Sequence, residues 1–222
     1  MPSRELNEAV VAVIGANGGL GREITAALTR RGAIVVRCTR SGGPDSDVTL
    51  DLRDARAGDV LLDHVTTKHG RLDGVVVAAG IVAFGDLVDT DDVVIEELFL
   101  TNAMGPMWLA KRVAPALQES QGFFVNLSGV VAETPMPGMA AYSASKAAAA
   151  AATEAIRREF RRMKVAVIDV RPPHTETGLA TRPLAGSAPK MPLGLDPSVV
   201  AERVVAAIEQ GDTAVGSAEF SS

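Results

Sequence analysis

Short, mostly apolar runs recur along the whole chain. They occupy residues 9–14, 33–38, 74–79, 122–127 and 165–170. Runs of this length without polar alternation are typical of strands that are buried on both faces, as in a parallel sheet. Shorter and more polar runs at residues 47–52 and 214–220 predict two further strands.

Between these runs, apolar residues recur with helical spacing. This pattern predicts helices over about residues 20–31, 58–69, 90–117, 140–160 and 196–210. The last helix has Asp196 as its N-cap and Pro197 at its first position. The alternation of strands and helices predicts a three-layer, doubly wound α/β fold of the Rossmann-like kind, with a mostly parallel, seven-stranded sheet. Residues 171–195 are the long irregular stretch, and loops of that length are usually functional or mobile.

Length and composition narrow the classes of function. A chain of 222 residues, 47% hydrophobic and 22% charged, suits one folded domain over residues 1–222. The net charge of −5 without a basic block argues against nucleic-acid binding. The single Cys38 excludes a disulfide framework, and the scattered histidines favour no metal site. No apolar stretch reaches the roughly 20 residues that cross a bilayer, and no signal-peptide pattern is seen, so we expect a cytoplasmic protein that makes no membrane contact.

A glycine-rich turn joins the first strand to the first helix. Its glycines at 15, 19 and 21 give the pattern GxxxGxG, in the strand–turn–helix context that phosphate-binding turns require. Glycines let the backbone approach a pyrophosphate closely, and the helix N-terminus offers free N–H groups. The alternative is a tight turn that binds nothing. The candidate cofactor residues here are Gly15, Asn17, Gly18, Gly19, Leu20 and Gly21.

Tyr142 and Lys146 are the sharpest chemical signal in the chain. Four residues apart on the helix predicted at 140–160, they lie on one face, one turn apart. A nearby ammonium group favours the phenolate, so we expect the pKa of Tyr142 to fall below its usual value of about 10. Tyr142 would then serve as a general acid or base. A Tyr–Lys pair can also arise by chance, but the glycine turn earlier in the chain supplies a supporting context.

In this order, the motifs resemble the short-chain dehydrogenase/reductase family, whose first turn reads TGxxxGxG and whose catalytic helix carries YxxxK. The resemblance implies hydride transfer between a nicotinamide cofactor and a small-molecule carbonyl or alcohol. It implies that Tyr142 moves the proton of the substrate oxygen, that Lys146 holds the nicotinamide ribose, and that Asn102 supports a proton relay to Lys146. A buried structural role is the alternative for Asn102.

The resemblance also extends the cofactor site beyond the glycine turn. It implies adenine contacts from Asp51 and Leu52, and nicotinamide contacts from the segment that follows the strand at 165–170. The further residues that it assigns to the cofactor are Ala79, Gly80, Pro172, Thr175 and Thr177, together with Tyr142 and Lys146.

The end of the second strand bears on the choice of cofactor. Dinucleotide folds often place there an acidic residue that binds the ribose 2′-hydroxyl. Here Thr39 stands at that place and Arg40 follows it. Arginine suits a phosphate by charge and geometry, so we expect NADP(H) to be preferred, with NAD(H) still accepted. The alternative is that Arg37 and Arg40 are solvated charges.

Two departures from the family pattern put catalysis in question. The family's catalytic serine lies 13 residues before the tyrosine, and that position is Gly129 in this chain. Ser128 stands one residue early, and we expect its side chain to face away from the carbonyl site. Val77 and Ala78 replace the family's paired asparagines. A non-catalytic NADP-binding scaffold is therefore the alternative to a weak or intact enzyme.

The resemblance also implies an assembly and a lid. The helices predicted at 90–117 and 140–160 form the usual dimer surface of the family, so we expect a homodimer or homotetramer. Residues 178–195 would form a short substrate lid, and the identity of the substrate is not readable from them.

Overall fold

The computed structural model describes residues 4–220. Its seven strands form one sheet in the order β3-β2-β1-β4-β5-β6-β7, and every neighbouring pair is parallel. The predicted doubly wound fold is confirmed, and the described sheet is parallel throughout rather than mostly so. The strands are β1 (Val10–Ile14), β2 (Ile34–Thr39), β3 (Val48–Thr49), β4 (Gly74–Val77), β5 (Phe123–Leu127), β6 (Ala166–Val170) and β7 (Ala214–Val215).

Helices cover both faces of this sheet. Apolar side chains of α1 and α6 pack on one face, and those of α2 and α4 pack on the other. Asp196 caps α6 as expected, because its carboxylate accepts the N–H of Ser198 at 2.8 Å. The helices are α1 (Gly19–Arg30), α2 (Ala57–His69), α3 (Asp92–Phe99), α4 (Gly105–Ser120), α5 (Ala140–Phe160) and α6 (Pro197–Gln210).

Two predicted strands are shorter than the sequence pattern indicated. The strand predicted at 47–52 is confined to Val48–Thr49. It starts after Asp47, whose carboxylate binds the backbone N–H and guanidinium of Arg37, and it ends at Thr49 because its partner strand ends at the paired Thr39. The strand predicted at 214–220 ends at Val215, and Ser217–Phe220 form a 3₁₀ turn. The Glu219 carboxylate accepts the N–H of Gly216 there, which favours the turn over an extended strand.

The helix predicted at 90–117 is present as a continuous helix that is interrupted by one π-helical turn. It comprises α3, a π-helical turn at Leu100–Met104, and α4, which runs on to Ser120. Single π turns within α-helices are frequent at functional sites. This one contains Asn102.

From β1 the chain adds β2 and β3 on one side of the sheet and then crosses over to add β4 to β7 on the other side. The strand order of the described sheet therefore reverses between β1 and β4. Ligands of open α/β sheets bind at such a point, outside the carboxyl ends of the strands. The turn after β1, the loop after β4 and the loop after β5 all meet there.

Candidate active site

A cavity of about 690 Å³ opens at this reversal point. It contains both the glycine turn and the Tyr142–Lys146 face of α5. Among the residues proposed from the sequence, Gly21 and Asn102 lie outside its lining. The others line it: Gly15, Asn17, Gly18, Gly19, Leu20, Arg40, Asp51, Leu52, Ala79, Gly80, Tyr142, Lys146, Pro172, Thr175 and Thr177.

The glycine turn, residues 15–21, is shaped by backbone contacts that side chains would disturb. Gly15 has a φ of +83°, a region that favours glycine. A Cβ on Gly21 would collide with the carbonyl oxygen of Gly15, and one on Gly19 would lie 2.7 Å from the Cα of Thr177. Gly21 is therefore needed for packing inside the turn, which explains why it does not face the cavity.

The same turn leaves the start of α1 open to an anion. Gly18 caps the helix without a side-chain hydrogen bond, and the first helical turn contains no acidic residue. The N–H groups at a helix start have no intrahelical acceptor, and the helix dipole favours negative charge there. The cavity at this point fits the pyrophosphate of a dinucleotide.

The two arginines at the end of β2 differ in their surroundings. Arg37 binds Asp47 through its backbone and its guanidinium, at 2.8 and 2.9 Å. Arg40 is exposed on the cavity wall, and no hydrogen bond or close ion pair joins its guanidinium to residues 4–220. Hydrogen bonds from Arg53 keep the pKa of the nearby Asp51 carboxyl below its usual value. Arg40 is thus the arginine available to a ligand.

Tyr142 and Lys146 occupy the wall of the cavity, but not with the electrostatics expected from the sequence. Burial raises the pKa of Tyr142 to about 12, whereas we expected Lys146 to lower it. The reason is that the Lys146 ammonium donates to the carbonyl of Leu127 at 2.8 Å and is itself desolvated, which lowers its pKa to about 8. The Tyr142 hydroxyl has no hydrogen-bond partner within residues 4–220 and so is available to a substrate.

Asn102 is a structural link between two walls of the cavity. Its side chain bonds the N–H and carbonyl of Ile81 at 3.0 and 2.9 Å, and donates to Ser145 at 3.0 Å. The Ser145 hydroxyl in turn donates to the carbonyl of Tyr142 at 2.8 Å. Asn102 is 2% exposed and positions the Tyr142 helix against the loop after β4. A proton-relay role for it stays a prediction.

Gly129 differs from a serine by more than a missing hydroxymethyl group. Its backbone has a φ of +84° and a ψ of 163°, a combination that is essentially restricted to glycine. Ser128 is fully buried, and its hydroxyl donates to the Asp169 carboxylate on β6 at 2.6 Å. Ser128 is among the residues that line the cavity, but its hydroxyl is engaged by Asp169, so its orientation toward a substrate stays a prediction. Burial raises the pKa of Asp169, which also faces Arg171 and the charge of Lys146.

Replacement of the family's paired asparagines leaves the central sheet in register. Val77 is buried and pairs with Ile14 and Asn126 on its two neighbouring strands. The N–H of Ala78 donates to the carbonyl of Ile14 at 2.9 Å. Apolar packing holds this part of the sheet together.

No individual residue on the side of the cavity that lies beyond Tyr142 was predicted from the sequence. Its lining includes Val82, Phe84, Met136 and Met139, which belong to loops. The sequence does not indicate that these residues line a cavity, because loop residues follow no helical or strand period. His174 also lines the cavity, and its imidazole lies 3.3 Å from the Glu176 carboxylate.

A nucleotide-sized crevice at the reversal point, with a glycine turn at one end and a Tyr–Lys pair at the other, defines a nicotinamide-dependent oxidoreductase. The chain belongs to the short chain dehydrogenase family, whose model matches residues 9–185. Within residues 4–220, no helix is long and apolar enough to cross a membrane, and no cluster of metal-binding side chains occurs.

Comparisons with individual proteins agree with this family. The chain is 28% identical to dehydrogenase/reductase SDR family member 7B of Bos taurus, over 91% of this chain and 71% of that protein. It is 26% identical to an uncharacterized oxidoreductase of Staphylococcus saprophyticus, over 93% of both chains. A short chain dehydrogenase from Burkholderia cenocepacia, solved in complex with NADP, superposes with a TM-score of 0.82 at 26% identity, over 96% of this chain and 89% of that one.

Proposed function

We propose that this protein is an NADP(H)-preferring oxidoreductase that interconverts a carbonyl compound and its alcohol, with Tyr142 as the general acid or base. The observation that carries the proposal is the shared cavity. One wall offers a helix start without a side-chain cap to phosphates. Another presents a phenol that has no hydrogen-bond partner within residues 4–220 and, one turn along the same helix, a buried ammonium. When bound, a nicotinamide dinucleotide supplies the hydride.

The cofactor would be held mainly by backbone. The glycine turn would receive the pyrophosphate, and Arg40 would pair with a 2′-phosphate because its guanidinium makes no hydrogen bond within residues 4–220 and feels only the longer-range attraction of Asp51. Asp51 and Leu52 would flank the adenine. Ala79, Gly80, Pro172, Thr175 and Thr177 would line the path to the nicotinamide.

The protein's part in the chemistry would be proton transfer and orientation. With a pKa of about 12 in the free protein, Tyr142 is protonated at neutral pH and can donate to the oxygen of a carbonyl substrate. Lys146 would hold the nicotinamide ribose and stabilise the phenolate that remains. Asn102 would fix the position of the Tyr142 helix.

Binding and turnover measured together test this function. We expect calorimetry to show tighter binding of NADPH than of NADH, and a carbonyl screen to show NADPH oxidation. The Tyr142→Phe variant should still bind NADPH through the glycine turn and Arg40, and should lose about 10²–10⁴-fold in rate, because it lacks the proton donor. Equal rates in the two proteins would contradict the proposed role of Tyr142.

A second candidate function is a dinucleotide-binding scaffold without catalysis. Gly129 favours it, since its backbone conformation leaves no place for the family's serine without strain. Tight NADPH binding with no carbonyl or alcohol turnover across the screen would support this alternative.

We also propose that residues 1–222 form one domain whose residues 178–195 act as the substrate lid. Thr177, which immediately precedes this segment, packs against Gly19 of the glycine turn, and the end of the segment is fixed by a hydrogen bond from Leu195 N–H to the His174 carbonyl at 2.8 Å. The assembly would be a homodimer or homotetramer formed through α4 and α5. A light-scattering mass near 23 kDa would contradict that assembly.

A further inference from the structure

The cavity continues beyond Tyr142 into a space that we name the apolar chamber. Its walls come from residues 82–84 after β4, 130–139 after β5 and 179–191 of the long loop. Phe84, Val131, Met139 and Tyr142 belong to one buried apolar cluster, which makes these walls continuous with a core. The side chains that define the chamber are Val82, Phe84, Val131, Met136, Met139 and Leu179.

Most side chains that line the chamber are apolar, although His174 lines the same cavity outside these three segments. Within its three described wall segments, Arg182 is the one lining residue with a polar side chain. Arg182 is exposed, and its Nε donates to the Gly178 carbonyl at 3.1 Å. A hydroxyl or charged group of a substrate would leave water here without gaining a hydrogen bond, which is unfavourable.

The three walls are hydrogen-bonded to one another. The Leu184 N–H donates to the Val82 carbonyl at 2.7 Å, and the Phe84 N–H donates to the Ala185 carbonyl at 2.9 Å. The N–H of Gly85 donates to the carbonyl of Gly138 at 2.8 Å. The chamber is therefore formed before a substrate arrives.

Methionines give this fixed frame an adaptable surface. Met136, Met139 and Met191 all line the chamber, and Met136 is 46% exposed at its rim. Methionine side chains are unbranched and flexible, so they adjust to ligands of different outline. Such a lining selects for apolar surface more strongly than for one shape.

We propose that the substrates are apolar ketones, aldehydes or secondary alcohols, whose hydrocarbon body fills the chamber while the oxygen faces Tyr142. This inference rests on the proposed function for the reaction and on the chamber for the substrate class. Polyhydroxylated carbonyls are disfavoured by the same walls.

A homologous series tests the substrate class directly. We would measure NADPH-dependent reduction of 2-butanone, 2-pentanone, 2-hexanone and 2-octanone, with dihydroxyacetone as the polar probe. Each added methylene should raise kcat/KM about fourfold, equivalent to about 0.8 kcal/mol, until the chamber is filled. Dihydroxyacetone should be a poorer substrate than 2-butanone.

A matched pair of variants locates the effect. Met136→Asp should lower kcat/KM for 2-octanone at least about tenfold, since it places a carboxylate at the chamber rim. Val199→Asp, which adds the same charge at an exposed position of α6, should leave that value unchanged. Equal loss in both variants would overturn the assignment of the chamber as the binding surface.

Binding to the NADPH-loaded Tyr142→Phe variant separates the two proposals. If the wild type turns over no ketone, but affinity in this variant still rises with chain length, the chamber assignment stands and the proposed catalysis fails. If neither kcat/KM nor affinity rises with chain length, or if dihydroxyacetone is preferred, the substrate class is wrong.

Discussion

The two ends of the cavity are built by different means. The dinucleotide end, around the glycine turn, is made of strand ends and a helix start, and its shape depends on close backbone contacts such as that between Gly19 and Thr177. The apolar chamber is made of loop side chains that hydrogen-bonded backbone segments hold in place. Backbone geometry needs particular glycines, whereas an apolar wall needs only hydrophobic residues of suitable size. We infer that substitutions at exposed chamber residues, such as Met136, change specificity without disturbing the fold.

The largest expected effect in this comparison comes from adding a methyl group to Gly19. A Cβ there would lie 2.7 Å from the Cα of Thr177 and 2.9 Å from its carbonyl carbon. Because backbone cannot move aside as a flexible side chain can, Gly19→Ala should lower the free energy of unfolding by about 3 kcal/mol, the upper end for overpacking. Chemical denaturation of the cofactor-free protein measures this change.

Gly18→Ala is the matched control for that variant. The added methyl group would meet only the carbonyl oxygen of Gly15, at 3.3 Å. We expect it to cost less than about 1 kcal/mol. Equal destabilisation by both variants would show that the contact between the glycine turn and Thr177 does not hold the dinucleotide end together.

A second pair of variants tests whether Gly129, which lies between the two ends of the cavity, is needed for the backbone conformation or stands in place of a lost catalytic serine. Gly129→Ala and Gly129→Ser should each lower the free energy of unfolding by about 2 kcal/mol, because both require an L-residue at a φ of +84°. At this backbone conformation, a side chain at position 129 would not point in the direction that it takes on an extended strand. We therefore expect kcat/KM of the two variants to agree within about threefold. A gain of about 10² for the serine variant over the alanine variant would identify a degraded active site instead.

The same contrast explains what the sequence could predict. The strands, the turn at Gly15 and the Tyr142–Lys146 face follow from spacing along one element, so they were predictable. The pKa of Tyr142 was not, because it depends on where the Lys146 ammonium points and on how deeply both groups are buried. The chamber was not predictable by residue either, since it brings together loops that are distant in the chain and have no period.

A variant of Arg40 tests how the dinucleotide end of the cavity chooses between NADPH and NADH. Arg40→Ala should reduce the preference for NADPH over NADH about tenfold, the equivalent of about 1.4 kcal/mol, if its free guanidinium pairs with the 2′-phosphate. Arg37→Ala is the matched control, because Asp47 already holds that guanidinium at 2.9 Å. Calorimetry with both cofactors gives the ratio. An equal change in the two variants would mean that general positive charge, rather than Arg40, sets the preference.

The smallest expected effect concerns the charge behind Lys146. Burial lowers the pKa of Lys146 to about 8, and the Asp169 carboxylate opposes this by favouring the ammonium. Asp169→Asn removes that support, so the pKa of Lys146 should fall further, and the alkaline limb of kcat/KM for carbonyl reduction should move to lower pH. We expect the limb to move by about half a pH unit. This is less than the 1–3 units that a direct contact between charges produces, because Asp169 also binds Ser128 and Arg171.

Glu133→Gln is the control for this variant. It alters the other carboxylate partner of Arg171, at 2.8 Å, and should leave the alkaline limb in place. A shift of the limb to higher pH in Asp169→Asn would show that Lys146 does not set it.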